Sequence, residues 1–252
     1  MFVTPAWRIA MDWVDALFLH WPVPVESLRA RIPAGLELDT FEGAAWVSVV
    51  AFHIARARHR GAPAALAWRR FPEINVRTYV SDAERSGVWF FSLDAGSPVA
   101  VELGRRLVHL PYYRSSISAA LDATSASYRL QRTDWRAPAA RFSAEASFEG
   151  EVRTAVPGTL EHWLAERYCF FTTNRRGDIL RGDVVHDPWP LRDATTRLSE
   201  NTLLEAAGIV PTATAPLAHV STGVMTRAWP LRNATSDASA RSSAAGLDVR
   251  KS

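Results

Sequence analysis

The segment from Phe71 to Val80 alternates between two kinds of side chain, and it constrains the fold of this 252-residue chain more than any other feature. Successive side chains of a β-strand point to opposite faces. One face would carry the mainly apolar set Ile74, Val76, Thr78 and Val80. The other would carry a set that we call the polar row: Glu73, Asn75, Arg77 and Tyr79. A strand with two such different faces has to separate two environments.

The polar row has two interpretations. In the simpler one, it faces water and the apolar set faces the core. In the other, it lines the interior of a barrel, where its side chains hydrogen-bond to one another, as buried polar groups must. The flanking segments 45–52 and 88–93 are almost entirely apolar, which is unusual for an exposed sheet and favours the second interpretation.

Strand signals outnumber helix signals along the rest of the chain. Besides the three segments above, alternating or apolar runs predict strands at 112–120, 125–132, 141–150, 167–173 and 178–185. Short helices are predicted at 25–31, from the Ser97-Pro98 cap to about residue 108, after Thr159, and from a Ser199 cap to Gly208. Many strands with a few scattered helices predict an α+β fold around a curved sheet or barrel.

A change in composition near the C-terminus sets the expected domain boundary. The last twenty residues are rich in Ser, Ala and charged side chains and contain no aromatic residue. We therefore expect a single domain over residues 1–231 and a disordered tail over residues 232–252.

Composition excludes several classes of protein. The net charge is only +3 and acidic residues are interleaved with the arginines, so a nucleic-acid binder is not expected. There is no apolar run of about 18 residues and no secretory signal, so we expect a cytoplasmic protein without membrane contact. The single cysteine, Cys169, rules out an intramolecular disulfide. The single lysine, Lys251, lies next to the C-terminus and is poorly placed for a buried Schiff base.

Motifs for cofactors and metals are missing from the sequence. No histidine pair has the spacing of a metal site, and no G-x-S-x-G, G-x-G-x-x-G or P-loop pattern occurs. We therefore predict no metal and no cofactor.

Taken together, several motifs resemble those of the YqjF-like family of uncharacterised bacterial proteins. They are Trp21-Pro22, the run from Leu36 to Phe52, Pro72 to Val80, Gly87 to Asp94, Leu110 to Tyr113, Glu166 to Tyr168 and His186 to Leu191. The resemblance covers most of residues 7–231. That family is similar to the acetoacetate decarboxylase superfamily, which implies a closed or cone-like β-barrel with flanking helices and a ligand site inside the barrel.

The resemblance also implies roles for individual residues. Glu73 matches a buried active-site glutamate of the decarboxylase, and the paired lysines of that enzyme would fall at Tyr112 and Tyr113. Since these positions hold tyrosines, the resemblance implies that decarboxylation through an imine is absent. A tyrosine can still act as an acid or orient a carbonyl group, although its ordinary pKa near 10 makes it a poor nucleophile.

Five further residues complete the predicted site. Asn75, Arg77 and Arg114 would orient a substrate, because a guanidinium group matches the two oxygens of a carboxylate. The alternative is a purely structural network in which Glu73 pairs with Arg77. Arg167 would either reach the cavity or only end the preceding helix, and His186 would be either a proton shuttle with Asp187 or a locally bonded turn residue.

The functional hypothesis is a lysine-independent lyase, hydratase or isomerase that acts on a small keto or carboxylate compound. Glu73 would be its acid/base group, and Tyr112 or Tyr113 would donate a proton or hydrogen bond. The rival hypothesis is a non-catalytic protein that binds an apolar metabolite between aromatic walls. A third possibility, a structural or interaction domain, predicts a solid interior. Members of the resembled superfamily associate, so the resemblance implies a homo-oligomer.

Overall fold

The computed structural model describes residues 6–63 and 67–234, which form thirteen strands and four short helices. The strands are β1 Ile9–Val23, β2 Glu37–Leu38, β3 Ala45–His59, β4 Phe71–Ser81, β5 Ser86–Ala95, β6 Tyr112–Leu121, β7 Ser125–Arg132, β8 Arg141–Phe148, β9 Cys169–Thr173, β10 Ile179–His186, β11 Leu191–Asn201, β12 Leu217–Ala228 and β13 Arg232–Asn233. The helices are α1 Val25–Arg29, α2 Pro98–Leu107, α3 Leu160–Ala165 and α4 Leu203–Ala206.

Five strands form a central antiparallel sheet in the order β12-β1-β3-β4-β5. Their pairing is extensive: β1 lies between β12 and β3 over nearly its whole length, so that Leu17 is opposite both Val220 and Ala51. The strand predicted from the 71–80 alternation is β4, and it pairs with β3 and β5 on its two sides.

The sheet closes into a barrel because β5 and β12 each pair with two different strands along their outer edges. The C-terminal end of β5 pairs in parallel with β6, starting from Leu93 opposite Tyr112. From there β6, β7, β8 and β11 follow in antiparallel order, and β11 returns to β12 at Leu191 opposite Ser221. The result is a closed, mixed barrel of nine strands with few helices, and the predicted fold class is confirmed.

The remaining edges of β5 and β12 are joined by the β9–β10 hairpin. Val88 of β5 lies beside Phe170 of β9, and Val184 of β10 pairs with Ala228 of β12. With the five central strands, these two complete a second, smaller ring of seven strands. The central sheet is therefore enclosed on both faces, by four strands on one side and by the hairpin on the other.

The apolar face of β4 packs inside the nine-strand barrel. Ile74 and Val76 belong to a buried cluster with Tyr128 of β7 and Phe142 of β8. By alternation the polar row points the other way, toward the smaller ring, where a second cluster contains Phe18, Val50, Ala165 and Trp189. Enclosure on both faces explains why β3 is nearly all apolar at its start.

Two of the predicted helix starts are present. The Ser97 side chain accepts a hydrogen bond from the Ala100 amide at the start of α2, and the Thr159 side chain accepts one from His162 at the start of α3. The start of the helix predicted from a Ser199 cap is wrong, while its predicted end at Gly208 agrees with the end of α4. Strand β11 continues to Asn201, which pairs with Phe142 of β8, and only the four residues of α4 follow. Barrel pairing outweighs the local signal at this position.

The chain remains ordered slightly beyond the predicted domain end. Arg232 and Asn233 pair with β10, and Ala234 is buried. The rest of the predicted tail, residues 235–252, lies outside the described residues. In the described part of the chain, none of the helices is both long enough and apolar enough to cross a bilayer.

Candidate functional site

Glu73 is a buried carboxylic acid near the start of β4. Only 2% of the residue is exposed, and its Oε2 accepts a hydrogen bond of 2.9 Å from the hydroxyl of Tyr112. Burial raises the pKa of Glu73 to about 7, and the charge of Asp94 adds to the rise, while hydrogen bonds from Tyr112 and Asn75 oppose it. A carboxyl group with this pKa exchanges protons near neutral pH, as a general acid or base must.

The Tyr112 side chain is positioned by α2 and β5. Its backbone lies opposite Leu93 at the parallel junction of β5 and β6. Gly104 in the last turns of α2 leaves room for the ring, because a Cβ atom there would stand 2.4 Å from Tyr112 Cδ2. Burial and the neighbouring Glu73 carboxylate raise the pKa of Tyr112 well above its ordinary value, so the phenol remains protonated and donates its hydrogen bond.

Asn75 and Arg77 continue the polar row and carry unsatisfied polar atoms. The Asn75 Oδ1 and Arg77 Nε atoms are buried without a hydrogen-bond partner in the described structure. Arg77 Nη2 donates to the carbonyl oxygen of Leu164 in α3 at 3.2 Å, and the described carboxylates include no ion-pair partner for it. The ion pair between Glu73 and Arg77, which the sequence left as an alternative, is therefore not formed.

A second polar cluster occupies the far end of the row. Ser48 of β3 lies 2.7 Å from His20 Nδ1 and 2.6 Å from the Tyr79 hydroxyl, which donates to Leu164 O at 3.1 Å. Burial, with His219 and Arg77 nearby, holds the pKa of His20 well below its ordinary value, so this ring is neutral. Sequence reasoning missed His20 and Ser48; the only signal is a single polar residue within each of the apolar runs 16–23 and 45–52.

Arg167 joins this second cluster. Its guanidinium group lies 4.8 Å from the centre of the Tyr79 ring and 4.3 Å from that of Trp163, and it pairs with Asp39 at 2.7 Å. The Arg167 Nη2 atom is buried and has no hydrogen-bond partner in the described residues. The Arg167 Nε atom also donates to the carbonyl oxygen of Trp163 in α3 at 2.6 Å. The contacts of Arg167 therefore fit both sequence alternatives, the end of the preceding helix as well as the interior.

The other predicted site residues lie elsewhere. The ring of Tyr113 lies under the guanidinium groups of Arg105 and Arg132 and not beside Glu73. Arg114 is half exposed and pairs with Glu102 of α2 at 2.8 Å. Of the predicted tyrosine pair, Tyr112 is thus the one that meets Glu73.

His186 is buried within an aromatic group at the end of β10. Its Nδ1 atom lies 2.8 Å from the carbonyl oxygen of Asp187, and its ring stacks on Tyr168 at 4.7 Å. Trp13 and Trp189 complete its surroundings. These contacts match the local structural role that the sequence left open for this histidine.

Two clefts reach the surface near these elements. The larger, of about 640 Å³, lies between β5, the end of α2 and β9; the smaller, of about 270 Å³, is lined by Arg167 and its neighbours. Neither is lined by Glu73, Asn75 or Arg77. In the described residues, no three His, Cys, Asp or Glu side chains are grouped so that they could hold a metal ion.

Comparison with known proteins places the sequence in context. The model of the family DUF2071, described as an uncharacterized conserved protein, matches residues 10–225. The uncharacterized protein YqjF of Bacillus subtilis (strain 168) is 37% identical over 232 residues, which are 90% of this chain and 92% of that protein.

Solved structures with the same fold are more distant in sequence. The enduracididine biosynthesis enzyme MppR, complexed with pyruvate, superimposes with a TM-score of 0.65 at 14% identity, covering 93% of this chain and 92% of that chain. The acetoacetate decarboxylase of Legionella pneumophila gives a TM-score of 0.62 at 11% identity, with 92% and 89% covered. An acetoacetate decarboxylase-like enzyme of Sphingomonas wittichii gives 0.63 at 14%, with 92% and 96% covered. The barrel is therefore of the acetoacetate decarboxylase type.

Proposed function

The chain belongs to the DUF2071 family, and on that premise we propose that its smaller ring binds a small carbonyl compound bearing a carboxylate, with Glu73 as the acid/base group. The proposal rests on the environment of the Glu73 carboxyl group. This group is buried, accepts a hydrogen bond from the Tyr112 hydroxyl, and has its pKa raised to about 7. Outside functional sites, buried carboxylates are usually paired with a cation. Glu73 has a phenol and an amide as neighbours instead.

Unsatisfied polar atoms support a ligand on the same face. A buried polar group without a hydrogen bond costs roughly 1–3 kcal/mol. Asn75 Oδ1, Arg77 Nε and Arg167 Nη2 are three such atoms on or beside the polar row. An amide oxygen and two guanidinium groups together suit a ligand that has one hydroxyl or enol group and one carboxylate.

Spacing along β4 sets the size of the ligand. Glu73 and Arg77 are four residues apart, so their Cα atoms lie about 13 Å from each other along a strand. The arginine side chain spans part of that distance, which leaves room for a compact acid of a few carbon atoms. Its carboxylate would bind the arginines while its carbonyl end lies toward Glu73 and Tyr112.

The chemistry available to Glu73 is proton transfer. As a carboxylate it accepts a proton from the carbon next to a carbonyl group, which leaves an enolate; the protonated carboxyl then returns a proton to carbon or to a leaving hydroxyl group. Isomerisation, hydration and dehydration all use such steps. The resemblance to the decarboxylase implies that its paired lysines fall at Tyr112 and Tyr113, so no imine is part of the proposed reaction.

Solvent exchange tests the base without knowledge of the full reaction. The protein is incubated with pyruvate or 2-oxobutanoate in D₂O, and loss of the C3 proton signal is followed by NMR. Wild-type protein should exchange these protons faster than buffer, with a rate that rises through pH 7. Glu73→Gln should abolish the exchange and leave binding within a few-fold, while Arg77→Gln should weaken binding. The matched control is Tyr113→Phe, since Tyr113 does not contact Glu73.

Other outcomes separate the hypotheses. Exchange that survives Glu73→Gln would refute the proposed base. A borohydride-trapped adduct with the oxo acid would refute the imine-free route. If the oxo acids bind and no exchange occurs, the chain is a binding protein for such acids and not a catalyst. Because Glu73 is 2% exposed, a ligand has to displace a covering side chain, so binding is measured after long incubation.

A further inference from the structure

The larger cleft, of about 640 Å³, lies on a surface separate from Glu73. Its walls are the end of α2, the loop 109–111, the middle of β5 and the start of the β9–β10 turn. A volume of this size is in the range of sites that hold a small organic molecule. Tyr113, for which the site around Glu73 has no role, is part of its lining.

Positive charge is concentrated in this cleft. Four arginines line it, against the single carboxylate of Glu102: Arg105, Arg106, Arg136 and Arg175. Glu102 is already bound to Arg114 at 2.8 Å and to Arg136 at 3.1 Å, and Arg136 also pairs with Asp134 at 2.6 Å. The carboxylates of Glu102 and Asp134 are therefore already paired with Arg114 and Arg136.

The other three arginines have no acidic partner in residues 6–63 and 67–234. Arg105 donates one hydrogen bond of 2.8 Å, to the carbonyl oxygen of Tyr112, and lies 5.5 Å from the centre of the Tyr113 ring. Arg106 and Arg175 are exposed, and they line the same cleft. Three guanidinium groups with unused donors thus line one cleft, two from the end of α2 and one from the segment after β9.

Helix capping explains only part of this arrangement. Arg105 and Arg106 are in the last turn of α2, where a cation stabilises the helix dipole by roughly 0.3–1 kcal/mol. Arg175 follows β9 and contributes nothing to that helix, yet it lines the same cleft. Like charges that share a cleft repel each other unless an anion lies between them.

Aromatic side chains form another part of the lining. Trp89, Phe90 and Phe91 are consecutive on β5, all three are only half-buried, and they face the cleft together with Phe171. The β4–β5 register shifts between Val76 and Arg77, so that Phe90 lies opposite Arg77 and Phe91 is the extra residue of a bulge. Trp89 and Phe91 pack on the same buried cluster as Phe171, whereas Phe90 packs on a different cluster with Tyr79. Trp89 and Phe91 are therefore the pair that adds an apolar wall to the cationic one.

We propose that this cleft binds a small organic phosphate that carries a flat ring, with the phosphates on Arg105, Arg106 and Arg175 and the ring against Trp89 and Phe91. Guanidinium groups match phosphate oxygens in pairs, and an aromatic wall stabilises a stacked ring. A mononucleotide is the simplest common ligand with both parts. The site differs from the polar row in residues and in ligand chemistry.

Calorimetric titration with three probes tests the two halves of the proposal. ATP carries both parts, tripolyphosphate only the anion, and adenosine only the ring; all are measured in EDTA at low salt. ATP should bind at least fivefold more tightly than either part. Arg106→Gln and Arg175→Gln should each weaken ATP binding by about tenfold, which corresponds to the loss of one charge-assisted contact. Trp89→Leu should remove the advantage of ATP over tripolyphosphate.

The matched control is Arg197→Gln, which removes an exposed arginine of β11 that does not line the cleft. Its ATP affinity should remain within twofold of wild type. The arginine variants alter exposed side chains and should keep the wild-type melting temperature, so a loss of binding is not a loss of fold. Equal weakening by Arg197→Gln, equal binding of ATP and tripolyphosphate, or no ATP binding at millimolar concentration would each overturn the proposal.

Discussion

At the scale of a single residue, the ionisation of Glu73 connects stability to pH. Its pKa is about 7 in the folded protein and 4.5 ordinarily. The folded state therefore binds more protons, and the free energy of unfolding falls as pH rises from about 4.5 to about 7. At roughly 1.4 kcal/mol per pKa unit, this rise corresponds to about 3 kcal/mol lost at alkaline pH.

The substitution Glu73→Gln should remove that dependence. A glutamine keeps an oxygen to accept the Tyr112 hydrogen bond but does not ionise. Relative to wild type, the variant should show little gain in melting temperature at pH 5 and a clear gain at pH 8. Thermal unfolding at both pH values measures the difference. A gain that is the same at pH 5 and pH 8 would contradict the raised pKa.

Tyr112 provides an independent test of the same carboxyl group. Its hydroxyl stabilises the charged form of Glu73, so Tyr112→Phe should raise the Glu73 pKa above about 7. Carbon-13 NMR of glutamate-labelled protein follows the titration directly. Tyr113→Phe is the matched control and should leave the Glu73 pKa unchanged, because the Tyr113 ring lies against Arg105 and Arg132.

At the scale of elements, a buried ion pair fastens the junction of β5, β6 and β7. The Nε and Nη2 atoms of Arg132 donate to the two oxygens of Asp94 at 2.7 and 2.6 Å, and Ser115 donates to the same carboxylate at 2.8 Å. Both charged side chains are almost completely buried, with 3% and 0% exposed. The parallel β5–β6 junction has only three register pairs, so the contacts of Asp94, Ser115 and Arg132 stabilise a short strand pairing.

Breaking this pair should cost far more than breaking a surface pair on the same strand. Arg132→Gln leaves a buried carboxylate without its partner and should lower the free energy of unfolding by roughly 3–5 kcal/mol. Arg129→Gln on β7 removes an exposed pair with Glu145 at 3.6 Å and should cost less than about 1 kcal/mol. Urea unfolding of the two variants measures both values; similar losses would refute the structural role assigned to Arg132.

The sequence predicts an element well when its hydrogen-bond partners are close in the chain, and poorly when they are distant. The alternation of β4 and the caps of α2 and α3 are local, and the sequence predicts them well. Strand β1 escapes detection because its register shifts twice, between Ala10 and Asp12 and between Val14 and Leu17, which interrupts the alternation. The helix near Ser199 is predicted to start too early because β8, more than fifty residues earlier, pairs with the chain up to Asn201 and holds it as a strand.

The same limit applies to the candidate site. Glu73, Asn75 and Arg77 share one strand, so their common face is readable from spacing alone. The enclosure of that face depends on the β9–β10 hairpin, more than ninety residues later, and local patterns cannot predict it. Tyr112 meets Glu73 while Arg114 turns outward to Glu102, a distinction set by the packing of α2.

At the scale of the whole molecule, two closed rings share the five central strands. Each ring is closed by strand pairings of only two or three register pairs. The hairpin β9–β10 is attached to β5 through two register pairs and to β12 through three. Within the central sheet, β1 and β12 alone share eleven register pairs. The four-strand wall is held in addition by the largest apolar cluster, which includes Tyr128 and Phe142. The hairpin is therefore the weaker of the two walls.

This difference predicts an order of opening. Segments with few pairs and little buried apolar area open with a lower free energy than the global unfolding reaction. In native-state hydrogen exchange, amides of β9 and β10 should exchange before those of β7 and β8, and those of β1 and β3 should exchange last. Because the hairpin encloses the polar row, an oxo acid bound there should slow exchange in β9 and β10 and leave β7 unchanged. Exchange of the hairpin as slow as that of β1 would mean that the smaller ring opens only when the whole protein unfolds, and a ligand would then need another way to Glu73.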